Sequence, residues 1–578
     1  MPILSLLKRF HIVLLLLLPV FSYAQTADEF INRGIIKYGQ EDYQGALIEF
    51  DHAIQKNPTL VRGYINRGLT KYQLNDFKGA VADCDRAIRL STYFADAYQI
   101  RGNAKLKLFD FIGAIEDYTK TIDINPLGEE PFYMRAKAYS YMGLYDSSIK
   151  DFTKAIDINP NLSGLYYYRG DAEYKLKKFK DAIADFNKTG EMTPKDPDVF
   201  ISLGNIWDDS GKTSLALENY AKAIQLDSTN SSAYYNRGLL HTRKKENEEA
   251  IKDFDKAIKN DPEYIDALNE CGNALFNIKK YKEAIPYYSK IISLNPNADY
   301  AYRNRGNTYY YLKDYDQAII DCNKALSINP QFLDALNDRG NARYQQKKYK
   351  KALKDFNKAI SIDPNFKYAY FNKGNTEKLM HDTDKALADY SKAIACDSTY
   401  KFAYNGRGDL LDDLRQYDKA IADFNKALSI DSVYLDALNN RGITRRKLKD
   451  YTGSIADYNK VISLDSTYTY AYNNKGYAYK EQGKYEEALQ CYNLALKFDP
   501  KYANALNNRG FVKVQFKDYE GAMKDFNASL EINNTNEDTY YNRGNLKEIL
   551  KDMDGAMKDW KMACSLGKTE ACAKLKKK

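Results

Sequence analysis

The phrase ALNNRG occupies Ala437–Gly442 and recurs letter for letter at Ala505–Gly510, with close variants ALNDRGN at Ala335–Asn341 and AYRNRGN at Ala301–Asn307. Asparagine and glycine each cost a helix roughly 0.5 to 1 kcal/mol relative to alanine, so propensity does not explain the repetition. The glycine does. Working outward from it, glycine stands at 34, 68, 102, 170, 204, 238, 272, 306, 340, 374, 408, 442, 476, 510 and 544, every one a multiple of 34, and Ala136 fills the one gap. No insertion or deletion disturbs this frame between residues 27 and 568, so the chain of 578 residues is a long repeat array of about sixteen units.

Each unit reads as two helices. An aromatic or leucine stands four residues before the Gly, as in Phe30, Tyr64, Tyr98 and Tyr302, and another aromatic nine after it, as in Tyr43, Phe77 and Tyr281. Ala, Phe or Tyr, and Ala follow at twelve, sixteen and nineteen, as in Ala250, Phe254 and Ala257. Steps of three and four residues describe amphipathic helices rather than strands. Asn57-Pro58, Asn159-Pro160, Asp261-Pro262 and Asp363-Pro364 end second helices, because the residue before proline is driven out of the helical region.

The period and these positions together resemble the tetratricopeptide repeat, over residues 27–568. The resemblance implies an all-α, right-handed superhelical solenoid of antiparallel helix pairs, in which each pair buries its apolar face on the next. Thr213, Asn247 and Thr383 replace the expected aromatic at the start of three second helices, which predicts looser joints there. Pro286 enters another second helix and is expected near its first turn, where a missing N–H costs little.

Residues 1–24 read as a secretory leader: Lys8 and Arg9, an apolar run over Ile12–Phe21 too short to span a bilayer, then Ser22-Tyr23-Ala24. The expected organisation is therefore leader 1–24, repeat array 25–568 and a basic capping segment 569–578, in an exported, periplasmic or secreted protein with no transmembrane span after cleavage. Net charge is +8, but the leader and the last ten residues hold most of it, so the body is nearly balanced and lacks the electrostatic footprint of a nucleic-acid binder.

Sixteen aligned copies allow an internal comparison. Arg or Lys precedes the Gly in fourteen units, and an acid lies sixteen residues after the base in thirteen of those. Leu203 and Cys271, which replace the base, face Asn219 and Tyr287, so base and acid vanish together. This predicts partly buried, bidentate pairs within each repeat, among them Arg305 with Asp321, Arg339 with Asp355, Arg441 with Asp457 and Arg509 with Asp525.

Asparagine occurs two residues before the Gly at Asn236, Asn304, Asn372, Asn440, Asn474, Asn508 and Asn542, and one after it at Asn273, Asn307, Asn341, Asn375 and Asn545. The two positions are three apart and share a helix face, read as distinct from that of the core aromatics. In the family that the chain resembles, these first-helix positions line a concave groove, where an amide ladder holds extended peptide by donating to carbonyls and accepting from N–H groups. Bonding to a neighbouring repeat is the competing reading. The family's charged clamp for carboxy-terminal peptides is not expected, because Arg303 is the one base three residues before a Gly.

Cys84, Cys271, Cys322, Cys396 and Cys491 read as buried thiols, whereas Cys564 and Cys572 are disulfide candidates that join the last repeat to its cap. Four scattered histidines offer no metal-like spacing, so no metal or cofactor is expected. The Asp-Ser-Thr turns at Asp227–Thr229, Asp397–Thr399 and Asp465–Thr467 read as turn chemistry rather than glycosylation acceptors. The repeats leave no room for a catalytic domain. The reading is a non-enzymatic scaffold for protein or extended peptide, with cell-envelope carbohydrate or peptidoglycan binding as its alternative.

Overall fold

The computed structural model describes residues 26–576; the leader expected over 1–24 lies outside them. Thirty-three helices and no strand occur among the described residues. Along the chain they alternate as sixteen first and sixteen second helices in strict register, followed by a short helix over Thr569–Lys576. The first helix of each pair begins at every thirty-fourth residue from Ala27, as at Leu333–Gln345, and the second from Tyr43, as at Tyr349–Ile362. The chain divides into two compact units, Met1–Lys279 and Lys280–Lys578.

Within each unit the small residues set the packing. Ala352 and Ala359 of the tenth repeat, with Phe356 between them, are fully buried. A Cβ on Gly340 would stand 2.4 Å from the Phe356 ring, and one on Gly442 2.7 Å from Tyr458. The glycine of the phrase therefore admits the aromatic sixteen residues later, which closes the two helices of one repeat on each other. Tyr302, Leu326, Leu336 and Phe356 share one cluster across successive repeats, the stacking that a lone helix pair cannot supply.

Two features escaped the sequence reading. The turn between the helices of a pair passes through a left-handed residue, and that residue is seldom glycine: Lys313, Lys347, Arg415 and Lys449 have φ between 59° and 64°. Pro286 lies at the sixth position of the helix Tyr281–Leu294 rather than in its first turn. Its missing N–H therefore removes one bond from the helical ladder.

The end of the array is closed covalently and electrostatically. Cys564 and Cys572 form a disulfide, Ala571 is buried, and Lys574 Nζ donates to Asn545 Oδ1 at 2.9 Å and to Glu548 Oε2 at 2.5 Å. Of the free cysteines, Cys84, Cys271, Cys322 and Cys491 are buried, but Cys396 is only half-buried, at the end of its helix.

Candidate functional site: the first-helix face

The polar seam lies between the helices of each repeat. Arg339 donates from Nη2 to Asp355 Oδ1 at 2.7 Å and from Nε to Oδ2 at 3.2 Å, and Asp355 is buried. Arg305 meets Asp321 at 2.8 Å through both nitrogens, Arg441 meets Asp457 at 2.5 and 3.0 Å, and Arg509 meets Asp525 at 2.6 and 2.8 Å. The third nitrogen does what spacing within one repeat did not suggest. Nη1 reaches the second helix of the preceding repeat, at Ser289 for Arg305, Asn323 for Arg339, Asn425 for Arg441 and Asn493 for Arg509, over 2.6 to 3.0 Å. One guanidinium thus fastens a repeat internally and to its predecessor, a use that suits a rigid five-donor fork and not an ammonium.

In several repeats a second base, four residues after the first, shares the carboxylate. Arg343 donates to Asp355 at 2.5 Å, Arg445 to Asp457 at 2.8 Å, and Lys513 lies 2.9 Å from Asp525. Glu173 and Glu377 occupy this position in two other repeats. Burial, and then Asp185, pushes Glu173 up to about 7; burial, and then Asp389, pushes Glu377 up to about 8. Glu173 leaves a buried oxygen without a hydrogen-bond partner, whereas Glu377, when protonated, donates to Asp389.

The asparagines have divided duties. Those two residues before the Gly donate to an amide oxygen thirty-five residues earlier, on the first helix of the preceding repeat: Asn372 to Asn337 at 2.9 Å, Asn440 to Asn405 at 3.3 Å, and Asn474, Asn508 and Asn542 to Asn439, Asn473 and Asn507 at 3.0 Å. Asn439, Asn473, Asn507 and Asn508 are themselves buried. At one joint an ion pair replaces the amides, with Arg303 Nε 2.6 Å from Asp338 Oδ2.

Those one residue after the Gly require a correction. The sequence reading set them on a face apart from the core aromatics, but a tyrosine sixteen residues after the Gly is long enough for its hydroxyl to pass the glycine and emerge beside them. Tyr118 donates to Asn103, Tyr220 to Asn205 and Tyr390 to Asn375, over 2.7 to 2.8 Å, and Trp560 Nε1 donates to Asn545 at 3.1 Å. Asn375 and Asn545 are thereby engaged by the core. Asn273 lies 3.5 Å from Glu270 in the first unit, and Asn304 accepts from Arg303 at 3.5 Å in the second. Asn307 and Asn341 differ, because the corresponding core residues are Cys322 and Phe356, which present no hydroxyl. Asn341 lines a pocket of about 170 Å³ with Tyr310, Tyr344, Gln345, Asn372 and Asn375. Asn236 lies on the first helix Ser231–Arg243 of the first unit, half-buried.

Two adjacent repeats break the tyrosine rule. Ile443 and Tyr477 stand where an asparagine would meet Tyr458 and Tyr492, and both hydroxyls are buried without a hydrogen-bond partner. The signal was present in the sequence: an asparagine after the Gly accompanies a tyrosine or tryptophan sixteen residues later in five repeats out of seven. Arg446 and Lys480, one helical turn further along the same helices, were also missed; they are the only consecutive bases four residues after the Gly.

The Asp-Ser-Thr turns are closed locally: each threonine hydroxyl donates to the aspartate two residues before it, at 2.6 to 2.7 Å. No cluster of three metal-ligating side chains occurs among the described residues, and no described helix is long and apolar enough to cross a membrane.

Matches to a known family agree with the repeat geometry. The tetratricopeptide repeat family matches at residues 130–162, 231–264, 265–298, 300–332, 333–366, 356–388, 402–432 and 503–536, and as TPR repeat at 209–244, 442–483 and 476–516. Similar solved structures include the anaphase-promoting complex hetero-tetramer Cut9-Hcn1, 15% identical with a TM-score of 0.40, covering 90% of this chain and 96% of that one. YrrB, described as a TPR protein with an unusual peptide-binding site, is 28% identical with a TM-score of 0.30, covering 32% of this chain and 95% of its own. Naa15/Naa10 bound to HypK-THB is 16% identical with a TM-score of 0.31, covering 95% and 96%. No curated protein matches in sequence. With its matches together spanning more than half of the sequence, the chain belongs to the tetratricopeptide repeat family.

Proposed function

We propose that the chain is an exported, non-enzymatic scaffold that holds a protein or an extended peptide against its first-helix face. The observation that carries this reading is Asn341. Most asparagines of the face are bonded within the chain, yet Asn341 lies in a pocket between Tyr310 and Tyr344 with no core hydroxyl directed at it. An amide there can donate and accept at once, which suits a peptide backbone of any sequence, and the tyrosines add flat apolar surface beside it. The sequence over residues 1–24 supports export, and the nearly balanced charge of the body speaks against nucleic acid.

The test is capture from a cell-envelope fraction with chemical crosslinking, using the wild type and Asn307→Ala with Asn341→Ala. Loss of a protein partner in the double variant, with an unchanged melting curve, is the expected result. Retained protein partners with loss of bound glycan would instead favour carbohydrate binding, and capture unaffected in both respects would remove the face from consideration.

A further inference from the structure

The thirteenth and fourteenth repeats gather features that their neighbours keep apart. Tyr458 and Tyr492 are 0% exposed, and their hydroxyls have no partner. Arg446 and Lys480 share the ring of Tyr477: the guanidinium carbon lies 4.5 Å from its centroid and Lys480 Nζ 3.7 Å, with Phe511 5.1 Å from Nζ on another side. Arg446 Nη1 donates to Glu481 at 2.9 Å. Lys480 makes no ion pair or hydrogen bond among the described residues, although its analogue Lys378 lies within 2.8 Å of both Asp409 and Asp413. Burial pushes the Lys480 ammonium down to about 8, with Glu481 and Asp538 drawing it back up and Arg446 pressing it further down. Arg446 acts electrostatically on both Tyr458 and Tyr492, and Arg446 and Ser454 are the polar side chains within reach of the Tyr458 hydroxyl.

Each uncommitted polar group in this cluster can donate, the ammonium exclusively and the phenols as well as accepting. A buried phenol without a partner costs about 1 to 3 kcal/mol, and elsewhere the chain avoids that cost with an asparagine. Two cations on one ring repel each other, and around that ring the carboxylates Glu481 and Asp538 stand against three cations, Arg446, Lys480 and Lys568. The local balance is one unmatched positive charge, which suits a carboxylate rather than a dianionic phosphate.

We infer that Lys480, Arg446 and the hydroxyls of Tyr458 and Tyr492 form a receptor for one carboxylate carried on a protein segment. It rests on the reading of the first-helix face as a protein-binding surface. The position lies two helical turns beyond Asn439 and Asn473, which are buried in the amide ladder. Lys480 meets the carboxylate first, over the Tyr477 ring. Arg446 then exchanges Glu481 for the ligand, and its movement opens the phenols to the ligand's oxygens.

The experiment is fluorescence anisotropy on the full-length chain with a labelled, carboxy-amidated Gly-Ser peptide containing one central Asp, against the same peptide with Asn. The Asp peptide should bind at least tenfold more tightly at 50 mM NaCl and lose most of that preference at 500 mM. Lys480→Met should abolish the preference, and Lys480→Arg should keep it, with unchanged melting curves for both. Equal binding of the two peptides, or an Asp preference that survives Lys480→Met, overturns the assignment. If the Asn peptide binds in a manner sensitive to Asn341→Ala and no Asp preference exists, this site is wrong and the peptide-binding reading stands; if neither peptide binds, both fall. Lys480-dependent binding of trigalacturonate in place of the Asp peptide would assign the site to an acidic glycan and refute the inference.

Discussion

The eleventh repeat and the thirteenth and fourteenth bury the same phenol beneath the same glycine and treat its hydroxyl in opposite ways. Tyr390 donates to Asn375 at 2.7 Å, and the bond closes within the repeat. Tyr458 and Tyr492 have Ile443 and Tyr477 in place of that asparagine, donate to nothing, and feel the charge of Arg446, whose neighbour Lys480 makes no ion pair among the described residues. In the first region an amide of the exposed face has been committed to stability; in the second, stability has been given up and uncommitted donors have collected. A repeat array can afford this locally because each unit is held by its neighbours, so one poorly satisfied unit does not unfold the rest.

That argument requires the two regions to share the same frame. The seam supplies it, since Arg339 and Arg441 each grip an aspartate in their own repeat and an asparagine in the one before. Arg339→Leu and Arg441→Leu should therefore cost alike, about 3 kcal/mol each, because each removes two charge-assisted hydrogen bonds from a buried carboxylate that Arg343 or Arg445 alone then pairs. Urea denaturation measures this, and the double variants with Asp355→Leu or Asp457→Leu should lose less than the sum of the two single losses. A mild effect at Arg441 alone would mean that the regions differ in their frame, and the comparison would lose its meaning.

The next largest effect turns one region into the other. Asn375→Leu should leave Tyr390 as orphaned as Tyr458 and cost about 1 to 3 kcal/mol. The converse change, Ile443→Asn, should stabilise the thirteenth repeat by supplying the missing acceptor. If Asn375→Leu is neutral in denaturant titrations, an unpaired phenol costs this fold nothing and the orphans carry no message.

The eleventh repeat is not wholly closed either, because Glu377 stands where other repeats place a second base. Its folded pKa of about 8 lies above the ordinary carboxyl value of 4.5, so the native chain holds this proton more tightly than the unfolded one. The stability that the proton confers is present below the unfolded value and is lost as pH rises through about 8. Glu377→Gln keeps the side chain neutral throughout. Its free energy of unfolding should gain on that of the wild type between pH 5 and pH 9, by an amount on the order of 1 to 2 kcal/mol. A constant difference across that range would show that Glu377 is not held protonated.

The frame was legible in the sequence because sixteen copies state it sixteen times. Glycine, the two alanines and the base with its acid recur at fixed offsets, and the observed helices begin at every thirty-fourth residue. What was not legible depends on side-chain length and on contacts between repeats. Nothing in the offset of Arg441 from Asp457 announces its third nitrogen on Asn425, and nothing in the helical face of Asn375 announces a hydroxyl arriving past a glycine. Lys313, Lys347 and Lys449 gave no sign of their left-handed backbone, because the turn rules look for glycine there. Arg446 and Lys480 carry no repeated signal, because the residue four after the Gly varies from repeat to repeat.

The smallest effect is the most discriminating. Tyr390→Phe removes a satisfied hydroxyl and strands the Asn375 acceptor, so it should lose about 1 kcal/mol. Tyr458→Phe and Tyr492→Phe remove hydroxyls that have no partner, and should be neutral or slightly stabilising, within about 0.5 kcal/mol. The same chemical change in the same structural position then takes different signs in two repeats, which no difference in ring packing predicts, because all three rings are buried to 0 or 1% exposure. Equal losses at all three tyrosines would show that Tyr458 and Tyr492 find partners in solution, and with them would go the reason to regard this region as waiting for a ligand. Opposite signs, joined to a loss of Asp-peptide affinity in Tyr458→Phe and Tyr492→Phe, would place the cost of the orphaned hydroxyls in the free protein and their use in the complex.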